Sequence, residues 1–168
     1  MTRFETVIVP TPAGPLAIVV DPEDGAVVSS GFDPIEDRQA KVAAPDAVFV
    51  RVRGSAAVDA VRAAVRQYAD GGLDALDAVG VRQPGGPFQQ QAWRAMRDVR
   101  AGATLTYADL AAAAGRPRAI RAAGSACARN LVAPFVPCHR ILRSDGSLGG
   151  YYYGLDVKAR LLRHEGAR

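Results

Sequence analysis

The sequence predicts an α+β protein in two parts: a sheet-bearing N-terminal region and a mainly helical C-terminal region. Residues 1–53 carry short β-branched runs separated by turn residues. Gln83-Pro84-Gly85-Gly86-Pro87 then interrupts the text as a linker. Beyond it, apolar residues recur at helical spacing, with helix caps and stops between them. This divides the chain into an N-terminal domain over 1–82, a linker over 83–87 and a C-terminal domain over 88–168. At 168 residues, 49% hydrophobic and 23% charged, the chain is long enough for a sizeable core. No internal repeat is visible.

Residues 4–9, 16–20 and 26–32 read as strands of an antiparallel meander. The Thr11-Pro12-Ala13-Gly14-Pro15 and Asp21-Pro22-Glu23-Asp24-Gly25 turns separate them. Residues 48–52 read as a further short strand. Residues 55–68 predict a helix: Ser55 is a suitable N-cap, Val58, Val61, Val65 and Tyr68 share a face, and Gly71-Gly72 ends it. Residues 73–82 are expected to return to the sheet. After the linker, residues 88–99 place Phe88, Ala92, Trp93, Met96 and Val99 on one helical face. Residues 106–114 form a second helix with Thr106 as N-cap and Gly115 as stop, and 116–129 a third, rich in alanine and arginine. Residues 136–152 read as a strand, a Ser144-Asp145-Gly146 turn and a glycine-rich loop, and 156–164 as a closing helix.

The net charge of +4 permits a polyanionic partner without demanding one. Arginine carries it, since the only lysines are Lys41 and Lys158. Two cysteines, Cys127 and Cys138, make no disulfide framework. The only histidines are His139 and His164, so a Cys/His zinc site has no support in the N-terminal part. No signal-peptide pattern and no apolar run of membrane-spanning length occur, so the expected compartment is a reducing cytoplasm with no membrane partner. With no Walker A or GxGxxG pattern, no cofactor is expected.

Pro137-Cys138-His139-Arg140 carries the chemistry. Proline fixes the backbone before a soft nucleophile, and a candidate base follows it, in what reads as a strand-like segment. The bland alternative is a small buried cysteine beside a structural histidine. The two helices over 106–130 have the length and turn of a helix-turn-helix. The second is lined with Ala119, Ala122, Ala123, Gly124, Ser125, Ala126 and Ala128, with Arg118, Arg121 and Arg129 available to phosphates. The alternative here is a pair of packed amphipathic helices with solvated arginines.

Five blocks, in order, resemble the C-terminal domain of the O6-alkylguanine-DNA alkyltransferases. They are Pro87-Phe88-Gln89-Gln90-Gln91-Ala92-Trp93; Thr106-Tyr107-Ala108-Asp109-Leu110-Ala111; Arg121-Ala122-Ala123-Gly124-Ser125-Ala126 with Asn130; Pro137-Cys138-His139-Arg140; and Gly146-Ser147-Leu148-Gly149-Gly150-Tyr151 leading to Lys158-Ala159-Arg160-Leu161-Leu162. The resemblance covers roughly half the chain. In the N-terminal half it is weaker, but it implies an RNase H-like domain there and, at 106–130, a DNA-binding helix-turn-helix. Some relatives hold a structural zinc in the N-domain; this chain lacks those ligands.

The resemblance implies a suicide repair protein. It would flip O6-alkylguanine, mainly O6-methylguanine, from duplex DNA and move the alkyl group irreversibly to Cys138. His139 would act on the thiol through a water, Glu165 would orient His139, Tyr107 would assist the leaving guanine, and Asn130 would brace the active-site turn. Arg121 would fill the vacated stack from a helix in the minor groove, with Arg118, Arg129 and Ser125 against the DNA. Ile141, Tyr151, Tyr152 and Tyr153 would line the substrate pocket, with backbone groups of Cys138, Ile141 and Tyr152 on the guanine edges. The expected state is a monomer, with cooperation along DNA left open.

Two departures stand out. Leu131 follows Asn130 where proline is common, and Tyr151-Tyr152-Tyr153 replaces smaller residues. The second predicts a narrow pocket that takes methyl well and benzyl poorly. Two other classes bear on the same residues. A non-catalytic lesion binder would lack the cysteine, and a Cys-His hydrolase would turn over repeatedly and leave the arginine helix unexplained.

Overall fold

The computed structural model describes residues 1–168 and has a mixed α+β architecture. Its contacts group into two units: Met1–Pro84 with Leu131–Phe135, and Gly85–Asn130 with Val136–Arg168.

The first unit is built on a four-stranded sheet in which residues 27–31, 14–20, 2–11 and 47–51 lie side by side in that order. Strands β1 (Thr2–Thr11), β2 (Gly14–Val20) and β3 (Val27–Gly31) form the antiparallel meander, with Thr11 facing Gly14 at the first turn. Helix α1 (Ile35–Ala40), absent from the sequence reading, leads into β4 (Ala47–Arg51). β4 lies parallel to β1, so the sheet is not purely a meander. Such a parallel neighbour needs a crossover, and α1 lies within it.

β2 is buried from Leu16 to Val20, as expected of an interior strand covered on both faces. Alternate side chains of β1 point to opposite faces. Phe4 belongs to a cluster with Val19 and Val28, packed by Ile35, Val42 and Phe49. Glu5, on the other face, accepts a hydrogen bond from Ser55 Oγ at 2.6 Å. Ser55 caps α2 (Ala56–Ala69) by accepting from the Val58 N–H. The face read from the sequence is the buried one, with Val58, Val61, Val65 and Tyr68 inside. Residues 73–82 do not rejoin the sheet as a strand. Ala75–Ala78 form a 3-10 turn, and Val81 makes one isolated bridge to Val27. Leu131–Phe135 joins this unit through Ser30, whose N–H bonds the Leu131 carbonyl and whose hydroxyl bonds that of Ala133.

The second unit packs α3 (Pro87–Arg97), α4 (Tyr107–Ala113) and α5 (Ile120–Ala128) against one another. Pro87 stands at the first position of α3, where its missing N–H costs nothing. Trp93 is buried, and its indole N–H donates to the Ala126 carbonyl at 2.9 Å. A Cβ at Gly85 would fall 2.6 Å from the Trp93 ring, so glycine is required there. Thr106 and Asp109 cap α4 reciprocally: Thr106 Oγ1 accepts from the Asp109 N–H, and Asp109 Oδ2 from the Thr106 N–H. α5 begins at Ile120, four residues later than expected, because the Arg116–Ala119 stretch, with Pro117 inside it, is used as a turn. β5 (Leu105–Thr106) pairs in parallel with β6 (Ile141–Leu142), and α6 (Leu155–His164) closes the chain.

Candidate active site

Cys138 sits at the start of a 3-10 turn spanning Cys138–Arg140, not on the expected strand; only Ile141 and Leu142 after it are extended. Pro137 makes the entry. Its φ of −85° and ψ of 65° form an inverse γ-turn closed by the Cys138 N–H on the Val136 carbonyl at 2.9 Å. The proline ring holds that φ in place. The thiol is therefore aimed by backbone that has almost no freedom.

Asn130 Nδ2 braces the turn, donating to the Val136 carbonyl at 2.8 Å and to Cys138 Sγ at 3.3 Å. Burial pushes the thiol above its ordinary pKa, while the Asn130 hydrogen bond and the charge of Lys158 pull it back.

His139 is fully buried beside it. Its Nε2 lies 2.8 Å from Glu165 Oε2. Burial lowers the His139 pKa despite that carboxylate, so the ring is neutral near pH 7. Glu165 ends α6 and is buried; burial would raise its pKa, but His139 and Arg140 together hold it down at about 2. An ionised carboxylate only accepts, so Nε2 carries the ring proton and Nδ1 keeps a lone pair. Nδ1 is buried and bonded to no protein atom.

Arg140 is buried and fixes the other side of Glu165. Nε donates to Oε1 at 2.9 Å, Nη2 to Oε2 at 3.1 Å, and Nη1 to the Val99 carbonyl at 2.6 Å. Lys158 is buried as well. Its ammonium donates to the carbonyls of Ile141 at 2.7 Å, Gly150 at 3.2 Å and Leu148. It ties the strand that follows Cys138 to the glycine loop. Both residues fall inside the sequence motifs, but their roles emerge only from these contacts. Their signals were faint: an arginine flanking the Cys-His pair, and one of only two lysines in an arginine-rich chain.

Tyr107 opens α4, half-buried. Its hydroxyl meets the glycine loop: a Cβ on Gly149, where φ is +72°, would lie 2.9 Å from that oxygen. Both the backbone and the neighbour exclude a side chain at this position. Burial raises the Tyr107 pKa, with the thiols of Cys127 and Cys138 adding to it, so the hydroxyl stays protonated and able to donate.

Cys138, His139, Glu165 and Asn130 are thus brought together, with Tyr107 electrostatically coupled to the thiol. Ile141 is buried, with its carbonyl already engaged by Lys158. The three tyrosines form an edge-to-face stack, with Tyr153 5.6 Å from Tyr151 and 4.9 Å from Tyr152. Tyr152 is 66% exposed, so its ring is the least enclosed of the three. Arg121, Ser125 and Arg129 lie exposed on or at the end of α5; Arg118 is exposed too, but in the turn before the helix. No group of three or more His, Cys, Asp or Glu side chains is placed to hold a metal, and no helix is long and apolar enough to cross a membrane.

This arrangement can deliver a thiolate: a neutral imidazole with a free lone pair, held by an ionised carboxylate, beside a thiol stabilised by an amide donor and a cation.

Comparison with known proteins bears on the same residues. The family model for the DNA-binding domain of 6-O-methylguanine DNA methyltransferase matches residues 87–167. Over 81 residues the chain is 52% identical to the bifunctional transcriptional activator/DNA repair enzyme Ada of Escherichia coli, covering 48% of this chain but only 23% of that protein. It is 34% identical over 171 residues to a methylated-DNA–protein-cysteine methyltransferase of Salmonella typhimurium, covering 99% of this chain and 98% of the relative. The crystal structure of a Mycobacterium tuberculosis O6-methylguanine methyltransferase is 27% identical and superimposes with a TM-score of 0.73, over 100% of this chain and 94% of that one. By its full-length similarity, the chain belongs to the methylated-DNA–protein-cysteine methyltransferase family.

Proposed function

We propose that this protein repairs duplex DNA by moving the alkyl group of O6-alkylguanine, chiefly O6-methylguanine, to its own Cys138, once per molecule. The observation that carries the reading is the joint geometry around Cys138: Asn130 donates to its sulfur, and the next residue, His139, is held by Glu165. His139 Nδ1 takes the thiol proton, through a water. The sulfur lone pair forms the new S–C bond as the C–O6 bond breaks. The electron pair passes into the guanine ring, whose developing charge the Tyr107 hydroxyl neutralises by donating a hydrogen bond, and the proton that left the thiol ends on the released guanine through solvent. Asn130 and Lys158 steady the thiolate, and Arg140 keeps Glu165 ionised. The product is a thioether, which has no easy hydrolysis, so the reaction ends there. It uses no cofactor.

Residues 88–168 are the catalytic and DNA-binding domain, joined by the 83–87 linker to an RNase H-like domain over 1–82. α4 and α5 act as a helix-turn-helix whose second helix enters the minor groove, where sequence readout is weak. Arg121 replaces the flipped base, and Arg118, Arg129 and Ser125 contact the backbone; the exposure of all four supports this. Ile141 and Tyr151–Tyr153 bound the base pocket. The protein works as a monomer in a reducing cytoplasm, which keeps Cys138 free.

The deciding test is intact mass after incubation with duplex DNA carrying O6-methylguanine. One methyl per protein is expected, on Cys138 and lost in Cys138→Ala. Repeated turnover or an unmodified protein would overturn the reading.

A further inference from the structure

Ile120 is the first residue of α5 and is 47% exposed. A lone exposed aliphatic residue needs no explanation. What sets Ile120 apart is its setting. Arg121 and Arg118 beside it, and Arg129 at the far end of the helix, are exposed and have no acidic partner. Gly124 lies one turn on, and a Cβ built there meets nothing within 4 Å. The isoleucine therefore stands as an apolar knob at the edge of open space, among cations. That combination suits a surface that is anionic at its rims and apolar between its layers, which is duplex DNA entered from the minor groove.

The geometry points to Ile120 as an apolar wedge that holds the duplex open beside the flipped guanine. Adjacent helical residues lie about 100° apart around the axis, so Ile120 and Arg121 reach different sides of the gap. Arg121 offers a flat guanidinium in place of the lost base. Ile120 fills the neighbouring step against base and sugar, displacing water that would otherwise favour closure. This inference rests on the reading of α5 as the helix that enters DNA, and the test separates the two.

The full chain and its Ile120→Ala and Ile120→Leu variants are compared on duplex DNA with one O6-methylguanine and on the free base. Because Ile120 is exposed, both variants keep the fold. Ile120→Ala should repair duplex about tenfold more slowly at subsaturating protein, with its free-base reaction unchanged and Ile120→Leu close to the parent. A fluorescent base analogue beside the lesion should brighten less with Ile120→Ala. The slope of log affinity against log salt should stay the same, because no phosphate contact is lost. Equal duplex rates for all three proteins would remove the wedge while leaving the repair reading intact. So would a parallel loss on free base, or a changed oligomeric state without a changed duplex rate. A parent protein that takes no methyl from duplex DNA would instead remove the reading beneath it.

Discussion

Arg140 and Glu165 are joined by two hydrogen bonds, Nε to Oε1 at 2.9 Å and Nη2 to Oε2 at 3.1 Å. The pair spans 25 residues of chain and is buried. Its effect falls on a third residue. A guanidinium cannot lose its charge, so the carboxylate beside it stays ionised and can only accept. His139 must then present its proton at Nε2, which leaves Nδ1 as the basic nitrogen. The fork of Arg140 thus selects the tautomer of His139 without touching it.

Acid should expose this linkage. The Glu165 pKa is about 2 in the folded chain against an ordinary 4.5. Folding therefore releases a proton between those values, and stability rises with pH across them. The contribution is complete above pH 4.5 and is lost as pH falls toward 2. Denaturant melts across this range should show a slope that Glu165→Gln flattens, since glutamine has no proton to lose.

Asn130→Ala removes the donor to Cys138 Sγ and leaves the Val136 carbonyl buried without it. Loss of about 1–3 kcal/mol is expected from that carbonyl alone. Denaturant midpoints and single-turnover methyl transfer, measured together, should both fall.

Lys158→Met should act on stability and on reactivity. Three carbonyls, of Ile141, Leu148 and Gly150, lose their common donor, so the 148–150 loop should become an early site of proteolysis. Lys158 also lowers the thiol pKa. Removing the cation moves that pKa up, so the rise of Cys138 alkylation rate with pH should shift to higher pH. An unshifted profile would deny Lys158 any electrostatic part.

The tyrosine stack gives a size prediction. Tyr153 contacts both neighbours, whereas Tyr152 is largely in solvent. Tyr153→Gly should raise the rate with free O6-benzylguanine relative to O6-methylguanine, and Tyr152→Ser should change the ratio little. Competition between the two bases, read by adduct mass, measures it.

Local signals carried much of this into the sequence. Ser55 and Thr106 were legible as caps because capping depends on a residue and its next turn. The faces of α2 and α3 were legible from their period. The Cys138 segment misled, since Val136 and the Ile141-Leu142 pair look extended while Pro137 turns the chain between them. α1 is six residues long behind Pro34, too short for a period to show. At the site, Cys138, His139, Asn130 and Tyr107 stand in the motifs that carry the family resemblance, and Glu165 was assigned only through what that resemblance implies. Arg140 and Lys158 escaped because their partners are backbone carbonyls and a carboxylate far along the chain, and no spacing rule encodes those.

The assignment of Leu131–Phe135 to the first unit has a consequence for engineering. A single cut after Pro84 does not yield two self-sufficient pieces. The C-terminal fragment would carry residues 131–135, and the carbonyls of Leu131 and Ala133 would lose their donor, Ser30, which stays behind with the other fragment. Those residues lie directly ahead of the Val136-Pro137 turn that aims Cys138. A split version would leave the Leu131 and Ala133 carbonyls without Ser30 until the two fragments reassemble. A circular permutant that keeps residues 30 and 131–135 in one chain should be the better starting point.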